Sequence, residues 1–258
     1  MANRGILLIG YDVEATWAPE ETLQFLKVAE RVHTELQASC TLFIVGKVLE
    51  MHPQAFQKIA ENSLFDLQQH TYSHMRLKPV TVFREGKPEV LDCGTPEQIR
   101  EELEKTNELF RKYLDQAPIG LTGPYANHYE NGLRDSPELL TVIHQCGIRF
   151  LRCFGKQGNN LPLEVQPFWY TEQGYPDILE FPIQKFGYEG YRKDIPGILD
   201  SVADHGYLWD NVQHEWSVVE YDPEMTEVRM LVTESRRMDI EVLNYFQCYQ
   251  RLKSQISV

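Results

Sequence analysis

The sequence predicts an α/β chain built on a mainly parallel sheet, and three observations predict it. Short apolar runs alternate with longer amphipathic ones, the rhythm of strand–helix units. The length, 258 residues, is that of one α/β barrel, so residues 1–258 are expected to form a single domain. Finally, Asp12, His70, Tyr125, Arg152 and His214 all fall at the carboxyl ends of expected strands, where sites in parallel sheets lie.

Each element has its own reason. The apolar run at 6–11 reads as a buried strand. Pro19–Leu36 reads as a helix: proline stands near its start, and Leu23, Leu26, Ala29 and Val32 keep a helical stripe. Residues 41–45 form a second strand and 53–61 a helix, with Phe56, Ile59 and Ala60 on one face. A short strand at 64–67 delivers His70. Residues 78–95 carry Pro79, Gly86, Pro88 and Gly94, and read as an excursion, in hairpin form, over the site. Pro96–Leu114 is a strong amphipathic helix. A strand at 119–123 ends at Pro124-Tyr125. Pro137–Gln145 is a helix closed by Gly147, and 148–151 is a strand. The stretch 159–191 is rich in proline and aromatics, with a strand at 178–181 inside it. Ile195–His205 is a helix and 207–212 a strand; 224–234 and the chain from Asp239 onward give the last helix and the tail.

Composition narrows the function. With 42% hydrophobic and 24% charged residues the chain is globular in kind. A net charge of −13 repels phosphate backbones and anionic lipid heads, so neither nucleic acid nor membrane is an expected partner. The first apolar run holds four residues and leads directly into Asp12, too short for a signal segment. Five cysteines without C-x-x-C spacing read as reduced, buried thiols. The expected location is therefore cytoplasmic. The acidic surface with its many aromatics permits a homo-oligomer.

The chemistry centres on His70 and His74, four residues apart in the stretch 69–75. On a helical turn that spacing puts two imidazoles on one face, close enough for one metal ion. Asp12 and Glu14 follow the first strand, and His214 follows an apolar run near the C-terminus. A metal on two histidines and one carboxylate keeps a position open for water; a second carboxylate can take a proton, and a histidine across the site can give one. Each residue also has a plainer use. Asp12 suits a turn cap, and Glu14 a solvated loop acid. His52, before Pro53, suits a surface turn; His33, His128, His144 and His205 suit structural roles. Trp17, Trp169, Tyr170, Tyr175, Phe181, Phe186, Tyr188 and Tyr191 suit either sugar stacking or core packing.

Along most of its length the chain resembles the polysaccharide deacetylase family of metal-dependent sugar N-deacetylases. Tyr11-Asp12-Val13-Glu14 resembles the family's first acidic motif, and residues 40–46 the strand that follows. Residues 66–74, from Asp66 to His70 and His74, resemble the histidine motif closely and are the most specific match. Thr122-Gly123-Pro124-Tyr125 resembles the third motif, 178–182 a later strand, and 206–214 the last motif, a strand leading to a histidine.

The resemblance implies a distorted (β/α) barrel of about seven strands with an open groove. It implies roles too: Asp12 as general base, Glu14, His70 and His74 as ligands of a divalent metal, usually zinc, the Tyr125 backbone N–H in the oxyanion hole, and His214 as general acid. The implied reaction is hydrolysis of a C–N amide bond, most directly deacetylation of an N-acetylated sugar or related small molecule. Small molecules or oligosaccharides would be the substrates. Hydrolysis of a cyclic amide or ureide on the same fold, and carbohydrate binding without turnover, are the alternatives. Two departures stand out. Val13 follows Asp12 where the family often has adjacent aspartates, which leaves Glu14 in an acid-x-acid spacing. Thr122 stands where the family usually has an arginine that orients the base, and threonine cannot make that bidentate pair. Arg152 is the expected substitute, within hydrogen-bond reach of Asp12.

Overall fold

Period-two alternation along buried strands builds the molecule. The computed structural model describes residues 5–156, 161–184 and 194–256. Its elements in chain order are β1 (Ile6–Val13), α1 (Pro19–Leu36), β2 (Cys40–Ile44), α2 (Gly46–Met51), α3 (Pro53–Ala60), β3 (Phe65–Gln69), β4 (Val80–Arg84), β5 (Lys87–Leu91), α4 (Pro96–Leu114), β6 (Gly120–Thr122), α5 (Pro137–Gln145), β7 (Phe150–Phe154), β8 (Phe168–Tyr170), β9 (Tyr175–Pro182), α6 (Ile195–His205), β10 (Leu208–His214), α7 (Glu215–Tyr221), α8 (Thr226–Arg237), β11 (Glu241–Leu243) and α9 (Tyr245–Ile256).

The main sheet runs β10-β1-β2-β3-β6-β7-β9-β8, with β11 also paired to β1. The seven strands from β10 to β9 are mutually parallel, and β8 returns antiparallel to β9. The sheet curls into a distorted barrel: Arg152 on β7 hydrogen-bonds Asp210 on β10, at the far end of the strand order. Among the described residues β9 and β10 share no ladder, and two glutamine side chains bridge this seam. Gln166 both accepts from the Leu208 N–H (2.8 Å) and donates to its carbonyl (3.0 Å), as a neighbouring strand would. Gln184 accepts from the Asp210 N–H (2.9 Å).

Alternate residues of the strands fill three apolar clusters, one of them around Leu103, Leu121, Leu140 and Leu151. Leu7, Ile9, Tyr11 and Val13 of β1 pack outward with α1 and α8 residues such as Phe25 and Leu231. Leu8 joins Phe43, Phe150, Phe181, Val212 and Tyr245 in the barrel interior. The interior fixes Gly10 between Leu8 and Asp12, because an added Cβ would lie 2.8 Å from Val212 and 3.1 Å from Tyr245. Helix starts follow the expected chemistry: proline opens α1, α3, α4, α5 and α6, and Thr95 with Gln98 forms a reciprocal capping box on α4.

The excursion at 78–95 is a hairpin, β4 against β5, in a sheet of its own. Several elements differ from expectation. β1, β9 and β10 run longer than their apolar runs, because polar residues continue the alternation at strand ends. α2, α7, β8 and β11 were not expected; each is short, with too few residues for a period to stand out. Four of the five cysteines are buried and Cys93 is half-buried. The aromatics Phe186, Tyr188 and Tyr191, and part of the stretch 159–191, lie outside the described residues.

Candidate metal and hydrolytic site

The carboxyl ends of β1, β3, β6, β7 and β10 converge. Asp12 stands in register with His214 across the β1–β10 pair, so the two candidate proton-transfer groups are neighbours by strand pairing alone. Glu14 lies one residue past β1, and His70 one residue past β3. Glu14 Oε2 sits 2.8 Å from His74 Nε2 and 3.3 Å from His70 Nε2. His214 Nε2 is 3.8 Å from Glu14 Oε1. The three ligand-capable atoms of Glu14, His70 and His74 lie within 4.8 Å of one another.

The two histidines meet by a different route from the one their spacing suggests. Residues 70–74 form a loop, not a helical turn, and Thr71 and His74 adopt left-handed φ values of 59° and 62°. Non-glycine residues pay for that conformation, which the surroundings must hold in place. Ser73 supplies one tie: its N–H and its hydroxyl both donate to Glu102 of α4, at 2.6 and 2.9 Å. The His70 and His74 ring centroids end 4.9 Å apart.

The donor set fits a divalent cation. One carboxylate and two imidazoles are first-row metal ligands, and three of them leave a coordination position free. His70 Nδ1 faces the Thr122 carbonyl at 2.7 Å. A carbonyl only accepts, so Nδ1 carries a proton there, and Nε2 is the ring nitrogen turned toward Glu14. Asp12 Oδ1 is buried with no hydrogen-bond partner among the described residues, an acceptor beside the ligand cluster. Burial alone would raise the Glu14 carboxyl, but hydrogen bonds with His70 and His74 and the charge of His214 outweigh it and hold it well below the usual carboxylate range. Burial would lower the His70 imidazole, yet Asp12 and Glu14 raise it. The two directions are the two sides of one acid–imidazole cluster: imidazoles favour the Glu14 carboxylate, and carboxylates favour the His70 cation.

Arg152 needs a correction. It is fully buried, and it stands in register with Thr122 on the adjacent strand, so the cation has moved one strand sideways from the family position. Its Nε hydrogen-bonds Asp210 Oδ2 at 2.7 Å, whereas Nη1 approaches Asp12 Oδ2 only to 3.8 Å. That is ion-pair range, not the expected hydrogen-bond reach. Tyr245 donates its hydroxyl to the other Asp210 oxygen. Asp210 thus takes the direct bond; it pairs with Leu8, and Asp12 sits two alternations further along β1.

Tyr125 follows Pro124 with φ 59°, its ring 5.8 Å from that of His74 and under the Arg76 guanidinium. The remaining histidines separate from the site, except that His128 has its ring 6.4 Å from Tyr125. His33 is buried between the Tyr11 hydroxyl and the Ala38 carbonyl, and His144 meets Asp177 at 3.1 Å. Sequence reasoning missed Glu215 and Trp216. Glu215 is buried and accepts from the N–H groups of Glu14 and Ala15; burial and the nearby Glu14 charge push its carboxyl up to about 8. Trp216 donates to Glu14 Oε1 and stacks on His214. Their position directly after His214 was the available signal.

Comparison with known proteins agrees with this geometry. The family profile Polysaccharide deacetylase matches residues 18–150, a span that includes His70, His74 and Tyr125. No curated protein sequence matches the chain. The fold is similar to that of a Mycobacterium smegmatis protein assigned to the polysaccharide deacetylases, with TM-score 0.72 at 14% identity over 99% of this chain and 92% of that one. A Pseudomonas aeruginosa PAO1 protein with the same assignment gives 0.68 at 10% identity over 96% and 90%. The PuuE allantoinase gives 0.67 at 9% identity, also over 96% and 90%. At such identities these structures speak for the fold alone. No helix among the described residues is long and apolar enough to cross a membrane.

Proposed function

The chain belongs to the polysaccharide deacetylase family, and from that premise we propose that it is a divalent-metal hydrolase of C–N amide bonds, acting on an N-acetylated sugar or a related small amide. One observation carries the reading: Glu14, His70 and His74 bring three ligand atoms within 4.8 Å of one another, with Asp12 and His214 paired across adjacent strands beside them. Residues 1–258 are read as one catalytic domain.

Glu14, His70 and His74 would hold the ion, zinc being the proposed metal. When bound, a divalent ion polarises the amide carbonyl and makes water a better nucleophile at neutral pH. Asp12 takes the proton from the attacking water, its buried Oδ1 having no competing partner. The Arg152 guanidinium lies 3.8 Å from the other Asp12 oxygen, in ion-pair range. The Tyr125 N–H stabilises the oxyanion. His214, opposite Asp12, gives a proton to the departing nitrogen as the C–N bond breaks, leaving a carboxylate and an amine.

A second reading keeps the same residues and changes the substrate to a cyclic amide or ureide. The likeness to the PuuE allantoinase over 96% of the chain favours it. Both readings share one test. Purified wild type should carry near-stoichiometric divalent metal by mass spectrometry, and His70→Ala and Glu14→Ala should lose it. A screen of acetylated sugars against cyclic amides then separates the two substrates. Wild type that stays metal-free after reconstitution overturns both and moves the reading to carbohydrate binding without turnover.

A further inference from the structure

Glu14 is placed awkwardly for a ligand. It lies beyond the last β1 residue, in a loop that reaches α1 at Pro19, and its side chain has one more rotatable bond than aspartate. Something must fix both its backbone and its carboxylate. The corner between β10 and α7 does both. Glu215 Oε1 accepts from the Glu14 N–H at 2.7 Å and the Ala15 N–H at 2.6 Å, and from the Thr22 hydroxyl at 3.4 Å. Trp216 Nε1 donates to Glu14 Oε1 at 3.4 Å, while Oε2 is the oxygen that faces both histidines. The Trp216 ring also stacks on the His214 ring, with centroids 5.5 Å apart and planes at 29°. The β1–β10 ladder ends at the Asp12–His214 pair, and Glu14 and the start of α7 at Glu215 and Trp216 lie immediately beyond it, one on each chain segment.

We propose that Glu215 and Trp216 clamp Glu14 as positioning residues for the divalent ion, Glu215 through the backbone and Trp216 through the carboxylate oxygen turned away from the histidines. The clamp rests on the reading of Glu14, His70 and His74 as ligands. It divides the Glu14 carboxylate into a held oxygen and a ligating one, and the same corner orients His214. Partners of this outer kind typically govern metal affinity by about 10–100-fold. A purely structural Glu215 would alter stability and leave metal affinity unmoved.

The test is zinc affinity, measured by competition with a chromogenic chelator on metal-free full-length protein, alongside tryptophan fluorescence. E215A and W216F should each bind zinc about 10–100-fold more weakly than wild type. E215Q keeps an acceptor oxygen and should recover most of the affinity. The zinc-induced change in fluorescence should largely vanish in W216F. If E215A does not fold, W216F decides alone. Wild-type affinity in W216F and E215A overturns the clamp while leaving the ligand set standing. A wild type that binds no divalent ion overturns the clamp and the reading beneath it together.

Discussion

The two ends of the barrel handle buried polar groups in opposite ways. At the amino ends of the strands, Asp66 accepts from the Thr41 hydroxyl at 2.8 Å and from Gln68 Nε2 at 2.6 Å. Gln68 Oε1 in turn accepts the N–H groups of Ile119 and Gly120, and the Thr41 hydroxyl accepts the Tyr245 N–H at the start of α9. Every one of these side chains is satisfied. At the carboxyl ends, Asp12 Oδ1, Thr71 Oγ1, Thr122 Oγ1 and Glu215 Oε2 are buried without partners, and Thr71, His74 and Tyr125 hold left-handed backbone. Left-handed backbone also occurs at the amino ends, at Gln37, Asp115 and Asp239, and Ser235 Oγ there is buried without a partner among the described residues. What sets the carboxyl end apart is that its unmet acceptors lie around Glu14, His70 and His74. Such features concentrate where a structure is organised around a ligand rather than around its own stability. The amino end holds a satisfied network that includes the start of α9, and the carboxyl end holds the proposed site.

The largest effect expected from that contrast is at His70. His70→Ala should abolish turnover and metal binding together, and should also cost about 1–3 kcal/mol of metal-free stability because it strands the Thr122 carbonyl. His214→Ala should lower kcat by about 10²–10⁴-fold. Assays of metal content, turnover and unfolding on each variant check this. A His70→Ala protein that keeps full activity would erase the distinction between the ends.

Arg152 links the two ends, and its removal should be the most destabilising of the polar changes. Arg152→Met leaves Asp210 buried and unpaired, and loss of one partner of a buried pair costs about 3–5 kcal/mol. Adding Asp210→Asn should restore part of that. Denaturant titration of the single and double variants gives the coupling directly; strictly additive losses would mean that the 2.7 Å contact does not bind the ends together.

His33 supplies a reference outside the barrel, in the layer between β1 and α1. Burial, only partly offset by the Ala38 carbonyl, lowers its pKa to about 4, against 6.5 for an ordinary histidine. The unfolded chain therefore binds the proton first as pH falls. The stabilisation from a neutral His33 is present in full above pH 6.5 and is lost as pH drops through the interval down to about 4. The whole interval is worth on the order of 3 kcal/mol. His33→Gln can still bridge Tyr11 and Ala38, so it should show a shallower acid loss than wild type in unfolding curves taken across this range. Parallel curves would remove His33 as the acid-sensitive group.

How much of this could be read in the chain depends on whether the cause is local. The apolar runs opening β1, β2 and β7 and the stripe of α4 are local, and so were legible. Asp12, His70 and His214 were placed at strand ends by the same runs, whereas Arg152, expected at the end of a strand at 148–151, lies in the middle of β7, and Tyr125 lies three residues past β6. The His70–His74 loop was not legible, because its geometry is imposed by Glu102 on a helix some thirty residues away. Asp210 was missed for a related reason: within β10 the residues Trp209, Asp210 and Asn211 are all buried, so alternation alone does not tell which side faces the barrel. Glu215 resembles any solvated acid at a helix start; only the register of β1 with β10 turns it toward Glu14.

The smallest effect sharpens the comparison most, because it sets one substitution at both ends. Thr41→Val and Thr122→Val each replace a buried hydroxyl with a methyl of nearly the same size. At the amino end the hydroxyl donates to Asp66 and accepts from the Tyr245 N–H, so its loss strands two buried partners and should cost about 1–3 kcal/mol. At the carboxyl end the Thr122 hydroxyl has no partner, and the bond that matters, from His70 Nδ1, goes to the Thr122 carbonyl, which valine retains. Removing an unpaired buried hydroxyl relieves its desolvation cost, so Thr122→Val should change stability by less than about 0.5 kcal/mol or increase it slightly. Unfolding midpoints of the two variants in metal-free protein measure the difference. Equal losses at both positions would show that the Thr122 hydroxyl is satisfied after all, and would remove unmet hydrogen bonding at Thr122 as a difference between the two ends.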